Sequence, residues 1–173
     1  MPDLVEPTTD LYDAWRECRR DWGPGMHEDG FGLAATDSTD DPQGFARWVR
    51  RLRKAASDDP GDETPCLYWW IVEDGEVVGA AALRTQTTAI TAQIGHVGYG
   101  IRPSKRGQGL ATWALAQVVR RASALDLNPM ILVCLADNTA SARTILRCGG
   151  SLTDQFQAHG ELLSRYEIPA QGA

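Results

Sequence analysis

The segment GYGIRPSKRGQGLAT, residues 98–112, places a short strand, a basic glycine-rich turn and a helix start in immediate succession. A helix N-terminus presents amide N–H groups with no intrahelical partner, and the helix dipole adds partial positive charge there. Gly107 and Gly109 remove side chains that would block a phosphate, and the neighbouring basic residues add full charges. The segment therefore predicts either an anion site or a basic structural turn.

Two common phosphate motifs do not fit this turn. A P-loop requires G-x-x-x-x-G-K-[ST], and no such lysine follows a glycine here. A dinucleotide fingerprint requires G-x-G-x-x-G, but Gly107-Gln108-Gly109-Leu110-Ala111 is followed by Thr112. The dinucleotide motif normally follows the first strand of a parallel βαβ unit, whereas this turn follows several predicted strands. GTP- or NAD-type binding is thus the least favoured alternative.

Hydrophobic periodicity predicts a mixed α/β chain around the turn. Apolar residues at helical spacing, runs of bulky residues and the turn signals Asp74-Gly75 and His159-Gly160 mark the elements. Asp10 is the expected N-cap of the first helix. The predicted elements are helices at 11–22, 42–57, about 109–125 and 138–150, loops at 23–32 and 58–65, and strands within 66–84, 94–101, 130–135 and 151–168.

Composition narrows the class of protein. At 173 residues with 43% hydrophobic and 23% charged residues, we expect one domain spanning 1–173. A net charge of −6 argues against a nucleic-acid partner. No apolar run approaches bilayer length and the N-terminus lacks a secretory signal, so we expect a cytoplasmic protein with no membrane partner. The scattered cysteines and histidines predict no metal site and no disulfide.

The combination Arg106-x-x-Gly109-x-Ala111 resembles the R/Q-x-x-G-x-G/A motif of the GCN5-related N-acetyltransferase (GNAT) superfamily. The order of elements over about 70–168 is similar too, and GHVGYGIRPSKRGQGLAT with DNTASARTILRCGG looks most like a bacterial branch of mostly predicted acetyltransferases. The resemblance implies a mainly antiparallel central sheet flanked by helices on both faces. It also implies acceptor-side helices and a loop at about 10–57, and a possible homodimer.

By this resemblance the co-substrate is acetyl-CoA, with no metal. The strand around Tyr99 to Ile101 would pair with the pantetheine arm, Asn138 and Ser141 would contact it, and Arg102 or Lys105 would meet the ribose phosphate or form a solvated surface pair. The pyrophosphate would be held by the main chain of Arg106, Gly107, Gln108, Gly109, Leu110 and Ala111, with Thr112 beside them.

The chemistry needs a proton acceptor, because an amine with a pKa near about 10 attacks a thioester only in its neutral form. His96 is the first candidate base and Glu28 or Asp29 the alternatives; a structural histidine and plain loop acids are the competing interpretations. Many relatives carry a general-acid tyrosine where this chain has Ile145, so either Tyr166 is the substitute or the thiolate leaves unassisted or through water. Cys134 and Cys148 more simply fill the core than form an acyl-enzyme.

We therefore expect an N-acetyltransferase that acts on a primary amine of a small cationic acceptor, namely a polyamine, an amino acid or an amine-bearing antibiotic. Two alternatives stay open: protein or peptide Nα-acetylation, and a non-catalytic acyl-CoA-binding module. Acidic residues near the expected acceptor entrance motivate the cationic acceptor, namely Glu28, Asp29, Asp37, Asp40 and Asp41. Of the tryptophans, Trp48, Trp69 and Trp70 are expected in the core, whereas Trp15 and Trp22 either pack or line the acceptor pocket.

Overall fold

The computed structural model describes residues 1–24, 30–56, 64–125 and 127–169. They form two antiparallel sheets, of strand order β1-β2-β3-β4 and β5-β7-β6. The strands are β1 Asp3–Val5, β2 Cys66–Glu73, β3 Glu76–Arg84, β4 Val97–Ile101, β5 Met130–Leu135, β6 Ser151–Ala158 and β7 Glu161–Ile168. The helices are α1 Tyr12–Trp22, α2 Pro42–Ala55, α3 Ala89–Ile94, α4 Leu110–Ser123 and α5 Thr139–Arg147.

The β2–β3 hairpin forms the centre of the first sheet. Its turn lies at Asp74 and Gly75, whose φ angles of 51° and 81° match the left-handed conformation expected there. Side chains of β2 alternate between the two faces, and both faces are buried. Trp69 and Ile71 pack toward α4, while Trp70 packs toward α1 and α2. The predicted helices on both faces of the sheet are confirmed.

The α1/α2 face is closed by an aromatic cluster. Trp15, Trp48 and Trp70 are almost fully buried together with Phe31 and Phe45. Trp15 lies 4.7 Å from Trp48, and Trp48 lies 5.6 Å from Trp70, measured between ring centroids. Aromatic side chains at these separations bury large areas and interact favourably beyond burial alone. Trp15 is therefore a packing residue, as are Trp48 and Trp70.

The two sheets meet where β4 begins. Gly95 bridges Leu132, the His96 amide donates to Ile131 O over 2.7 Å, and the Ile131 amide donates to His96 Nδ1 over 2.9 Å. Beyond this junction β4 pairs with β3, whereas β5 pairs with β7. The described edges of β4 and β5 thus separate toward Ile101, and this separation leaves room for a ligand.

Several predicted boundaries differ from those observed. The strand predicted at 94–101 begins only at Val97, since Ile94 ends α3 and Gly95 adopts a φ of 82°. Helix α3 was not predicted; the mutual hydrogen bonds of Thr88 and Thr91 form its capping box. The expected Asp10 cap is wrong, because Thr8 accepts from the Asp10 amide and begins a 3₁₀ turn before α1.

Candidate active site

A cavity of about 450 Å³ lies beside the end of β4, the basic turn and α5. Most of the residues predicted to hold acetyl-CoA line it, although they come from three separate elements. These are Tyr99, Ile101, Arg106, Gly107, Gly109, Leu110, Ala111, Thr112, Asn138 and Ser141. Gln108 and Arg102 are absent from the lining. The fold therefore brings residues that are far apart in the sequence together around one cavity.

The turn offers main-chain donors to this cavity. Gly109 precedes α4 and has no side chain with which to cap it, and the first backbone bond of the helix runs from Trp113 N–H to Gly109 O. Among the described residues, the Leu110, Ala111 and Thr112 amides have no hydrogen-bond acceptor. Gly109 has a φ of 82° and open space where a Cβ would stand. The helix start is thus available to an anion.

Four cations line the same cavity: Lys105, Arg106, Arg143 and Arg147. Arg106 is held in place because its Nε donates to Ile101 O over 2.9 Å and its guanidinium lies 5.2 Å from the ring centre of Trp22. Sequence reasoning missed Arg143 and Arg147. Their i, i+4 spacing, on the helix that Asn138 begins, is the signal that would have found them.

Arg102 has a different environment. It is buried, and its Nη2 lies 3.0 Å from Glu76 while its Nε lies 3.5 Å from Asp21. Asp21, near the end of α1, also accepts from the Ser104 amide and hydroxyl, and these hydrogen bonds are the main reason its pKa lies below the usual value. Arg102 therefore fixes the turn to α1, and its charge is directed away from the cavity.

Helix α5 forms the wall opposite β4. Asn138 caps it, because the Asn138 Oδ1 accepts from the Ser141 amide over 3.0 Å. The Tyr99 hydroxyl reaches from β4 to the Ser141 hydroxyl, with 2.8 Å between the two oxygens. Burial raises the pKa of Tyr99 to about 12, so its hydroxyl stays protonated at neutral pH. Ile145, where many relatives carry tyrosine, is buried in the core.

His96 does not reach the cavity. It is fully buried, its Nδ1 accepts from the Ile131 amide, and its Nε2 lies 3.1 Å from the Thr87 hydroxyl. With Nδ1 acting as an acceptor, the neutral ring carries its proton on Nε2. Burial lowers the pKa of His96 below 6.5. The expectation of a general base is therefore corrected: His96 joins the two sheets.

Tyr166, another candidate for proton transfer, is buried on β7 within the core and does not line the cavity. Glu28 and Asp29 lie outside the described residues. Gly30 follows them and packs so closely that an added Cβ would stand 2.8 Å from both Ala80 O and Gly98 O. The chain after this loop is thus anchored on the backbone of β3 and β4.

Two expected acceptor-side acids have structural partners. Asp37 forms a salt bridge with Arg51 and accepts from the Ala34 amide. Asp41 caps α2 by accepting from the Gln43 and Gly44 amides over 2.9 Å each. Asp40 uses its main-chain carbonyl, which accepts from the Tyr12 hydroxyl. The Asp37 carboxylate is therefore occupied by Arg51 and Ala34, whereas the cap formed by Asp41 uses only its Oδ1.

The sequence profile of the acetyltransferase (GNAT) domain matches residues 36–151, which is more than half of the chain. The chain belongs to the GNAT acetyltransferase family. Its enzyme class is acetyl-CoA-dependent N-acetyltransferase, as the turn motif predicted. Among curated proteins, no sequence match was found.

Solved structures share the fold across almost the whole chain. Microcin C7 self-immunity acetyltransferase MccE, in complex with acetyl-CoA and AMP, is 16% identical with a TM-score of 0.65, covering 97% of this chain and 92% of its own. An N-acetyltransferase from Staphylococcus aureus Mu50 is 14% identical with a TM-score of 0.66, covering 99% of each chain. RimL, a ribosomal L7/L12 alpha-N-protein acetyltransferase, is 14% identical with a TM-score of 0.66, covering 97% and 90%.

Three further features bear on the class of protein and its chemistry. The described residues contain no group of three or more His, Cys, Asp or Glu side chains that could hold a metal ion. Within 1–24, 30–56, 64–125 and 127–169, none of the helices combines the length and apolar character of a membrane span. Cys148 is buried and its pKa is raised by that burial, which suits a core residue better than a nucleophile.

Proposed function

We propose that this acetyltransferase transfers the acetyl group of acetyl-CoA to the primary amine of a small cationic acceptor, by direct attack within a ternary complex. The observation that carries the proposal is the convergence of unpartnered helix-start amides and four cations on one cavity. Since the chain has a net charge of −6, this local excess of positive charge favours a highly anionic ligand such as a phosphorylated coenzyme.

Different residues of the cavity would bind different parts of acetyl-CoA. The amides of Leu110 to Thr112 would hold the pyrophosphate, with Arg106 beside them. Arg143 and Arg147 would meet the remaining phosphate, which replaces the sequence-based assignment to Arg102 or Lys105. The pantetheine arm would lie between β4 and α5, where Asn138 and Ser141 line the cavity. This order directs the acetyl group toward the junction of the two sheets.

The acceptor class rests on two acidic residues, Glu28 and Asp29, that precede Gly30 in the sequence. Gly30 itself packs on the carbonyls of Ala80 and Gly98. A carboxylate there would attract a cationic amine and accept its proton, directly or through water. Glu28 is our proposed base. A polyamine, an amino acid or an amine-bearing antibiotic is the acceptor that fits.

Calorimetry with acetyl-CoA tests the binding half of the proposal. We expect Arg143→Ala/Arg147→Ala to weaken binding about 10- to 100-fold, because hydrogen bonds to charged groups contribute roughly 1.5–3 kcal/mol each. The matched control is Arg47→Ala/Arg50→Ala, which removes the same charge from the exposed face of α2. If both double variants weakened acetyl-CoA binding equally, the loss would reflect the change in net charge and not a specific contact with Arg143 and Arg147.

Thiol release across an amine panel tests the catalytic half. Turnover with polyamines or amino acids supports the proposal, whereas acetylation of protein N-termini alone favours the alternative substrate class. Tight acetyl-CoA binding without transfer to any amine or peptide would favour a non-catalytic module. Glu28→Gln is expected to lower kcat at neutral pH and to leave acetyl-CoA affinity unchanged.

A further inference from the structure

We propose that the Tyr99 hydroxyl donates the hydrogen bond that stabilises the departing thiolate of coenzyme A. The resemblance assigns this task to a tyrosine on the helix that Asn138 begins, but the corresponding residue here is Ile145. The donor would then come from β4 instead of α5. This inference rests on the proposed acetyl transfer.

The geometry supports a hydroxyl supplied from β4. Tyr99 is half-buried and lines the cavity, and its Oη lies 2.8 Å from Ser141 Oγ and 3.4 Å from Ser141 O. The hydroxyl therefore stands against the cavity wall formed by α5. Ile145, further along that helix, is 1% exposed and brings no polar atom to the wall.

The groups around this hydroxyl leave it able to donate. Ser141, Thr144, Cys134 and Cys148 influence its titration, and burial raises the pKa of both thiols, so they remain neutral. A serine hydroxyl can donate as well as accept. When Ser141 Oγ donates to Tyr99 Oη, the single Tyr99 hydrogen points to Ser141 O over 3.4 Å, and a thiolate in the cavity would compete with that neutral carbonyl for it. No carboxylate lines the described cavity to compete for it.

The reaction step balances without proton transfer from tyrosine. As the tetrahedral intermediate collapses, the C–S bond breaks and its electron pair moves to sulfur, while the Tyr99 O–H points at that sulfur. A tyrosine with a pKa of about 12 is a weaker acid than a thiol, which titrates near about 8.5. The proton therefore stays on oxygen, the hydrogen bond stabilises the anion, and the thiolate takes its proton from water after release.

Tyr99→Phe tests the assignment because it removes only the hydroxyl. We expect kcat to fall about 10- to 100-fold, as for loss of one hydrogen bond to a charged group, with acetyl-CoA affinity within about twofold of the original protein. The matched control is Tyr12→Phe, whose hydroxyl donates to Asp40 O far from the cavity, and it should leave kcat unchanged. An unchanged kcat in Tyr99→Phe would overturn the inference, as would an effect produced by Tyr166→Phe instead.

A second measurement does not depend on turnover, so it separates this inference from the proposed function. If Tyr99 stabilises the thiolate, the bound thiol of free coenzyme A has a lowered pKa, and coenzyme A affinity rises with pH toward about 8.5 relative to acetyl-CoA. Tyr99→Phe should abolish that rise; an identical pH dependence in both proteins would contradict the inference. If Tyr99→Phe does not fold, the original protein alone decides: coenzyme A affinity that does not rise with pH relative to acetyl-CoA would contradict the inference.

Discussion

The two faces of the first sheet are built on opposite principles. On the α1/α2 face, bulky aromatic side chains fill the space and are almost fully buried. On the α4 face, the same sheet ends in a turn whose amides and cations border a cavity of about 450 Å³. One face stabilises the fold by burying apolar surface, whereas at the other the amides that begin α4 have no hydrogen-bond partner among the described residues.

Charged residues show the same contrast. Near the aromatic face, Asp37 pairs with Arg51, and Asp41 caps α2. At the cavity, Arg143 and Arg147 line the wall in a chain that is acidic overall. A charge that is already paired adds to stability and little to recognition, so the second set gives the better indication of function.

The largest expected effect on the free energy of unfolding comes from a substitution in the aromatic cluster. Trp70→Ala should lower the free energy of unfolding by about 3–5 kcal/mol, since it removes a fully buried ring between Trp48 and Phe45. Trp113→Ala, a half-buried residue on the α4 side, is the comparison and should cost less. Urea unfolding measures both; equal losses would mean that the two faces contribute alike.

The next effect sharpens the distinction between stability and binding. Gly109→Ala and Gly75→Ala place a side chain at φ angles of 82° and 81°, with open space around each. Both should lower the free energy of unfolding by roughly 1–2 kcal/mol through backbone strain. Only Gly109→Ala should also weaken acetyl-CoA binding, by about tenfold or more, because the added methyl group enters the open space beside the amides that begin α4. Calorimetry that found equal binding losses would remove the turn from the site.

The smallest effect concerns the junction between the sheets. His96 has a folded-state pKa below 6.5 because of burial, so the unfolded chain takes up a proton that the folded chain does not. Stability should therefore fall as pH decreases below about 6.5, by at most about 1.4 kcal/mol per pH unit. The lowered pKa values of Asp21 and Glu76 change the pH dependence of stability only below about pH 4.5, outside this range.

His96→Asn tests this dependence, because its side-chain oxygen can still accept from the Ile131 amide. Unfolding measured between pH 7 and 5 should show a flatter pH dependence in the variant than in the original protein. A proton-accepting catalytic histidine would instead show its pKa in the rate profile. Parallel stability curves for the two proteins would contradict the structural role.

Local sequence signals predicted the elements whose ends are specified by residues that are neighbours in the chain. Asp74-Gly75 specifies a hairpin turn, and Gly109 before an apolar stripe specifies a helix start, whatever surrounds them. The three-residue β1 and the six-residue α3 escaped notice, since such short segments contain too few residues to show a period. The turn before α4 could be predicted for the same reason that the hairpin could.

The sequence by itself determined the glycine turn and the start of α4, because glycines and a helix N-terminus create donors through bonds between neighbours in the chain. Only the tertiary structure decided the direction of each charged or titratable side chain. It turned Arg102 toward Glu76, buried His96 between the sheets and brought Tyr99 to Ser141, 42 residues away. Those outcomes depend on which distant elements pack together, and burial and pairing across such contacts set the chemistry of a side chain.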